Sequence, residues 1–211
     1  MNWLLEEYKN HYRLNGSYTI LFENIVGLHS LKDRKSCDTC PNERRICVNN
    51  GEAVVFKIDA HSEIAKIDIE KFFVQFDGKT ASIRKKCDLM FYNSSNVILC
   101  DMTCSENQYI EPFTNSRGNY EGKRSKAYSQ IESVINSLMK IDAVKSRLEG
   151  CTHKIGLFAM RIKDNSMAND DVCNNMEIFT EEFENHQTNV TDMGNGFLFK
   201  TVSYPEVYSI G

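Results

Sequence analysis

Proline is scarce, three in 211 residues, and no Gly-, Ser- or Pro-rich tract reads as a linker. That points to one domain, residues 1–211, of a size that encloses a proper core. No apolar run approaches the ~20 residues of a membrane span. Met1-Asn2-Trp3-Leu4-Leu5-Glu6-Glu7 has neither the basic nor the apolar region of a signal peptide. The expected location is therefore the cytoplasm, with no membrane partner. A basic excess is also missing. The formal net charge is −4, which argues against a protein that coats nucleic acid. Lys32-Asp33-Arg34-Lys35 and Arg84-Lys85-Lys86 are local basic patches that suit either phosphate or solvent. No GxGxxG, GxxxxGK[ST] or GxSxG occurs, so dinucleotide, P-loop and nucleophile-elbow chemistry are not suggested. The histidines are scattered, and none has the spacing of a Cys/His nucleophile pair.

What is present is globular: 41% hydrophobic and 26% charged residues. Met1, Leu4, Leu5, Tyr8 and Tyr12 recur at helical spacing, and Asn15-Gly16 is a stop, so a helix is expected over 2–14. Residues 17–28 suit helix or strand. Residues 29–50 are polar and cysteine-bearing, an insertion ahead of a strand from 52 to 59. Phe72-Phe73-Val74-Gln75-Phe76 is expected as a strand closed by Asp77-Gly78. Residues 87–92 and 97–104, separated by Asn93-Ser94-Ser95-Asn96, are expected to pair as a hairpin. Residues 105–122 read as irregular. Ala127, Ile131, Val134, Ile135, Leu138 and Ile141 mark one face of a helix over 124–148, stopped by Gly150. Strands are expected at 153–162 and 197–202, with a short helix around 176–186 between them. Helix, three strands, helix, strand predicts an α/β (α+β) fold with a mixed central sheet flanked by helices.

The chemistry concentrates in Lys86-Cys87-Asp88, in Val97-Ile98-Leu99-Cys100-Asp101-Met102-Thr103-Cys104, and in the helix that follows. Asp101 interrupts an apolar strand, where a carboxylate is costly unless it is paired or binds a metal. Asp88 and Asp101 on neighbouring strands suit one Mg²⁺, a hard cation that takes oxygen ligands and supports phosphodiester hydrolysis. The simpler reading of the same residues is structural, with Asp88 capping a strand and Asp101 pairing with Arg84 or Lys86.

This arrangement resembles the PD-(D/E)XK nuclease superfamily, in topology over about 60–160 and in motif over a few residues. The resemblance implies a restriction-endonuclease-like αβββαβ core. Asp88 matches the first acid and Asp101 the second. Gln130 matches a glutamine often carried by the following helix. Glu6, Glu7 or Glu23 matches an additional helix carboxylate that some members use. Thr103 stands at the lysine position, and threonine cannot replace that charge. Either Lys123 or Lys126 reaches in from the following helix, or the domain is a catalytically degenerate relative. The resemblance further implies a nuclease-fold subunit working beside a larger protein partner in a nucleic-acid-processing assembly, such as bacterial antiphage defence. DNA and RNA both remain open as substrates. A purely structural protein-interaction module is the reading from a different class.

A second cluster is Cys37-Asp38-Thr39-Cys40, followed by Cys47 and preceded by His29. Three thiolates and an imidazole suffice for a tetrahedral, structural Zn²⁺ in a polar insert with little core of its own, a zinc knuckle over 29–50. Free thiols and a redox CxxC are the alternatives. An RNA-binding knuckle would want aromatic residues for stacking, and 29–47 has none. Cys87, Cys100 and Cys104 read as small buried hydrophobes, and Cys151 and Cys173 as incidental.

Overall fold

A computed structural model of the chain describes residues 1–32, 54–80, 85–162 and 190–211. The first helix, α1 (Asn2–Tyr12), buries Leu4 and Tyr8, one turn apart on the same face. It ends earlier than Asn15-Gly16. Arg13 takes the left-handed conformation (φ 52°, ψ 43°), and the Leu14 N–H reaches back to the Lys9 carbonyl at 2.9 Å.

The ambiguous segment after it becomes β1 (Phe22–Lys32), so His29 and Lys32 belong to a strand and not to an insert. Lys32 is fully buried, which removes it from any phosphate-facing patch. β2 (Val54–Asp68) is longer than the expected 52–59, with 15 residues.

The segment expected as a strand at 72–76 is mostly helix: α2 runs Ile69–Val74, and the turn after it carries Phe76. Two local features decide this. Asp68 caps the helix, its Oδ1 accepting the Lys71 N–H at 2.9 Å. Ile69, Phe72, Phe73 and Phe76 then fall on one helical face, and all four are buried. Phe72 and Phe76 pack edge-on at 5.3 Å, and Tyr8 of α1 meets Phe76 at 4.5 Å.

The hairpin forms as expected, with β3 (Leu89–Tyr92) antiparallel to β4 (Asn96–Ser105) and Leu89 opposite Cys100. Residues 105–122 are not wholly irregular. They hold a 3-10 turn (Asn107–Tyr109) and a small hairpin, β5 (Phe113–Asn115) and β6 (Gly118–Tyr120). The long helix divides into α3 (Lys123–Leu138) and α4 (Asp142–Glu149), with Gly150 at the expected stop. β7 occupies His153–Ile162, as the apolar run there predicted. It is followed by β8 (Thr191–Asp192), β9 (Leu198–Ser203) and a closing strand, β10 (Val207–Ile210), which the sequence reading missed. The short helix expected around 176–186 lies outside the described residues.

The result is a mixed α/β molecule with a mixed central sheet and, among the described residues, four α-helices. β2, β3 and β4 run antiparallel; β4, β7 and β9 run parallel, the β4–β7 crossover being α3 and α4. The last residues of β2 pair with β3, while residues 57–60 pair with β1 on one edge and β10 on the other. β2 thus belongs to two halves of a sheet that curls on itself.

The curl divides the core. Ile25, Phe56, Ile58, Ile98, Leu157 and Ile210 pack in a cluster on the face the sheet encloses. Leu4, Phe72, Leu99, Ile131, Ile135 and Phe158 pack between the other face and the helices. Fully burying one such side chain stabilises by roughly 1.5–3 kcal/mol. No helix among the described residues is long and apolar enough to cross a membrane.

Candidate functional site

Side chains alternate along a strand. On β4, Val97 and Leu99 face the helices, whereas Ile98, Cys100 and Met102 face the enclosed core. Asp101, Thr103 and Ser105 therefore continue the helix-side row, and all three are buried. The β3–β4 register ends at Leu89 opposite Cys100, and Asp88 and Asp101 are the residues that follow that pair on the two chains. Two bonds hold Asp88 against β4: its N–H donates to Cys100 O at 3.0 Å, and its Oδ2 accepts the Met102 N–H at 2.7 Å. The Asp88 carboxylate thereby ends the ladder where β3 itself has stopped.

The electrostatics show both acids converging. The Cys87 thiol is pushed well up, first by complete burial and then by the negative charges of Asp101 and Asp88. Gln130 arrives from α3, its Nε2 donating to the Lys86 carbonyl at 2.6 Å. The crossover helix is thus tied to the residue that leads into Cys87-Asp88. Lys86 itself is directed elsewhere, both oxygens of Asp77 lying 2.9 Å from its Nζ, and Arg84 lies outside the described residues.

Of the residues the sequence singled out, Asp88, Asp101, Thr103 and Gln130 gather at one end of the β3–β4 hairpin beneath α3. Lys123 and Lys126 stand on the first turns of α3, both exposed, and line a cleft with Ser105. Ser105 is two residues beyond Thr103 on the same face of β4, so the cleft opens beside the acids along one strand. Neither lysine ammonium forms an ion pair or hydrogen bond with a described residue.

The expected helix carboxylates do not join them. Glu6 is exposed on α1, and Glu23 lies on β1, opposite Lys66 and ion-paired with it. A residue the sequence reading missed adjoins Asp88 through the backbone: Glu70 opens α2, and its N–H donates to the Asp88 carbonyl at 3.3 Å. Only the helical reading of 69–76 would have pointed to it.

Cys37, Cys40 and Cys47 of the expected zinc cluster lie outside the described residues. His29 sits in β1 with Nε2 at 3.1 Å from the Val26 carbonyl. Among the described residues, no three His, Cys, Asp or Glu side chains group as metal ligands. Cys87 and Cys100 are buried free thiols and Cys104 is half-buried, in keeping with their reading as small core residues, and Cys151, read as incidental, is buried as well.

No family model matches this chain, nor does any curated protein or solved structure.

Proposed function

We propose that this chain is a nuclease-fold subunit of a nucleic-acid-processing assembly, with a degenerate PD-(D/E)XK-like centre that keeps the acid pair but not the lysine. One observation carries the reading: the Asp88 carboxylate is held on β4 at Met102, the residue after Asp101, and Gln130 of the crossover helix is bonded to Lys86, two residues before Asp88. Mg²⁺ is commonly held by one or two carboxylates and otherwise by water. Two carboxylates whose joint field already raises a neighbouring thiol fit such an ion. Asp88 and Asp101 would hold it, and it would supply charge neutralisation at a phosphodiester.

Thr103, buried at the position the resemblance gives to lysine, offers a hydroxyl but no charge. The expected behaviour is therefore metal and nucleic-acid binding without strand scission by the isolated chain. A larger protein partner would carry the cutting or motor activity.

A second reading rests on the cleft beside the acids. Lys123 and Lys126 line it without an ionic partner among the described residues, so one of them supplies the missing charge once substrate is bound. One experiment separates the two readings. Mn²⁺ binding is followed by electron paramagnetic resonance, alongside cleavage of single- and double-stranded DNA and RNA. The first reading expects one Mn²⁺ site, lost in Asp88→Asn and Asp101→Asn, and no cleavage. Metal-dependent cleavage that disappears in Asp101→Asn and in Lys123→Ala or Lys126→Ala would establish the second. Unchanged Mn²⁺ binding in both Asp variants would remove the acid pair from either.

A further inference from the structure

The 105–122 segment folds into a 3-10 turn and a small hairpin that carry three aromatic rings. Asn115 Oδ1 accepts the Arg117 N–H at 2.8 Å, and Gly118 takes φ 127°. These two features turn the chain tightly and bring Phe113 opposite Tyr120. Their rings stack at 4.8 Å between centroids and 6° between planes. Tyr109 adds an edge-on contact to Phe113 at 5.1 Å. Tyr109 and Tyr120 are large apolar surfaces left open to solvent.

The hairpin is fastened to α3. The Arg124 N–H donates to Ile110 O at 2.9 Å, and the Arg124 guanidinium meets Glu111 at 3.3 Å. Gly122, at φ 79°, lies so close to the backbone that a Cβ there would come within 2.6 Å of Glu111 O and Pro112 N. The cleft of about 460 Å³ beside the hairpin is lined by Tyr109, Phe113 and Tyr120, by Ser105 at the end of β4, and by Lys123 and Lys126. Glu121 also lines it, with its carboxylate engaged by Ser129 at 3.2 Å and Lys85 at 3.7 Å.

We propose that this cleft binds single-stranded nucleic acid, stacking an unpaired base against the Phe113–Tyr120 platform and seating the adjoining phosphates on Lys123 and Lys126. The ligand class follows from the lining. Aromatic faces accept any base but require it to be unstacked, which a duplex does not offer. The two ammonium groups are charges that phosphate complements in a chain whose overall charge is negative. This names the substrate class for the proposed function and rests on that reading for the role of the neighbouring acids.

The test uses the full chain, in EDTA, with fluorescein-labelled oligothymidylate, oligouridylate and a duplex of equal length, read by fluorescence anisotropy across a salt series. Both single strands are expected to bind more tightly than the duplex, and the comparison between them tells DNA from RNA. Tyr120→Leu, which keeps apolar bulk but removes the stacking face, is expected to weaken strand binding by about 5- to 150-fold with the salt slope intact. Tyr120→Trp is expected to retain binding. Lys123→Ala with Lys126→Ala is expected to reduce the slope of log K against log salt by about 1.4.

Absence of single-strand binding, equal or tighter duplex binding, or a Tyr120→Leu variant of unchanged affinity would overturn the proposal. EDTA keeps any divalent ion from the acid pair, so strand binding is read here without it. Loss of the metal reading therefore shows in the Mn²⁺ experiment alone, and loss of the strand reading here alone.

Discussion

The Asp88 carboxylate accepts the Met102 backbone N–H at 2.7 Å, so the residue that opens the candidate metal pair also closes the β3–β4 ladder. β4 runs on past the start of β3, and an N–H facing that missing partner needs an acceptor inside the fold. One side chain answers a structural demand and, with Asp101, presents negative charge to Cys87.

The double role gives Asp88 a separable signature. Asp88→Ala leaves the Met102 N–H without its acceptor, an expected loss of about 1–3 kcal/mol in urea unfolding. Asp88→Asn retains an oxygen acceptor and is expected to lose less than half as much. Both variants are expected to lose Mn²⁺ binding. Equal stability of the two variants would show that the ladder cap contributes nothing measurable.

Gln130 is expected to act by position. Its Nε2 bond to Lys86 O, at 2.6 Å, ties α3 to the approach of Asp88. Gln130→Leu should cost about 0.5–1.5 kcal/mol in urea unfolding and weaken Mn²⁺ affinity, while Gln130→Asn, one methylene shorter, should fall between. An unaltered Mn²⁺ affinity in Gln130→Leu would leave the residue a purely structural tie.

Much of this arrangement was legible because it is local. Asn93–Asn96 separates two apolar runs, so the hairpin follows from one short turn. Residues 124–148 show 3.6-residue periodicity ending at Gly150, which gave the helical crossover, while Gln130 was singled out by the family resemblance alone. Two kinds of feature were not legible. Phe72-Phe73-Val74-Gln75-Phe76 has strand composition, and helix wins because Asp68 caps it and Ile69, Phe72, Phe73 and Phe76 share a buried face. The closing strand β10 is four residues long and is fixed by its parallel pairing to Lys57–Ala60 of β2, about 150 positions away. The aromatic cleft was half-visible: the Asn115–Gly118 turn signal lies symmetrically between Phe113 and Tyr120, and a hairpin reading of it would have paired the rings.

The α2 correction is itself testable. Asp68 Oδ1 caps the helix start by accepting the Lys71 N–H. Asp68→Ala is expected to cost about 0.5–2 kcal/mol and Asp68→Asn only a few tenths, by thermal or urea unfolding. Phe72→Ala, which empties a site packed by Tyr8, Phe73 and Phe76, is expected to cost about 3–5 kcal/mol. Near-equal effects of Asp68→Ala and Asp68→Asn would mean that the side-chain cap is not what starts the helix.

The Cys87 thiol sets the alkaline behaviour of the fold. Burial, then the Asp101 and Asp88 charges, hold it well above the ordinary range, whereas in the unfolded chain a cysteine ionises near pH ~8.5. The folded state keeps a proton that the unfolded state releases. Its contribution is therefore complete below pH ~8.5 and falls as pH rises toward the folded value, by up to about 1.4 kcal/mol per pH unit. Cys151 is raised by burial in the same sense, and Tyr8 and Tyr208, each pushed up to about 12, enter only above pH ~10. Urea unfolding between pH 7 and 9.5 is thus expected to show stability declining with pH, and Cys87→Ala to flatten that decline whatever the variant's absolute stability. A second substitution, Asp101→Asn, removes one of the two charges. It should end the decline at a lower pH while leaving its onset near pH ~8.5, because a thiol with less negative charge beside it ionises more readily in the fold and the unfolded chain is unchanged. A pH slope identical in wild type and Cys87→Ala would show that the thiol is not held protonated at the acid pair.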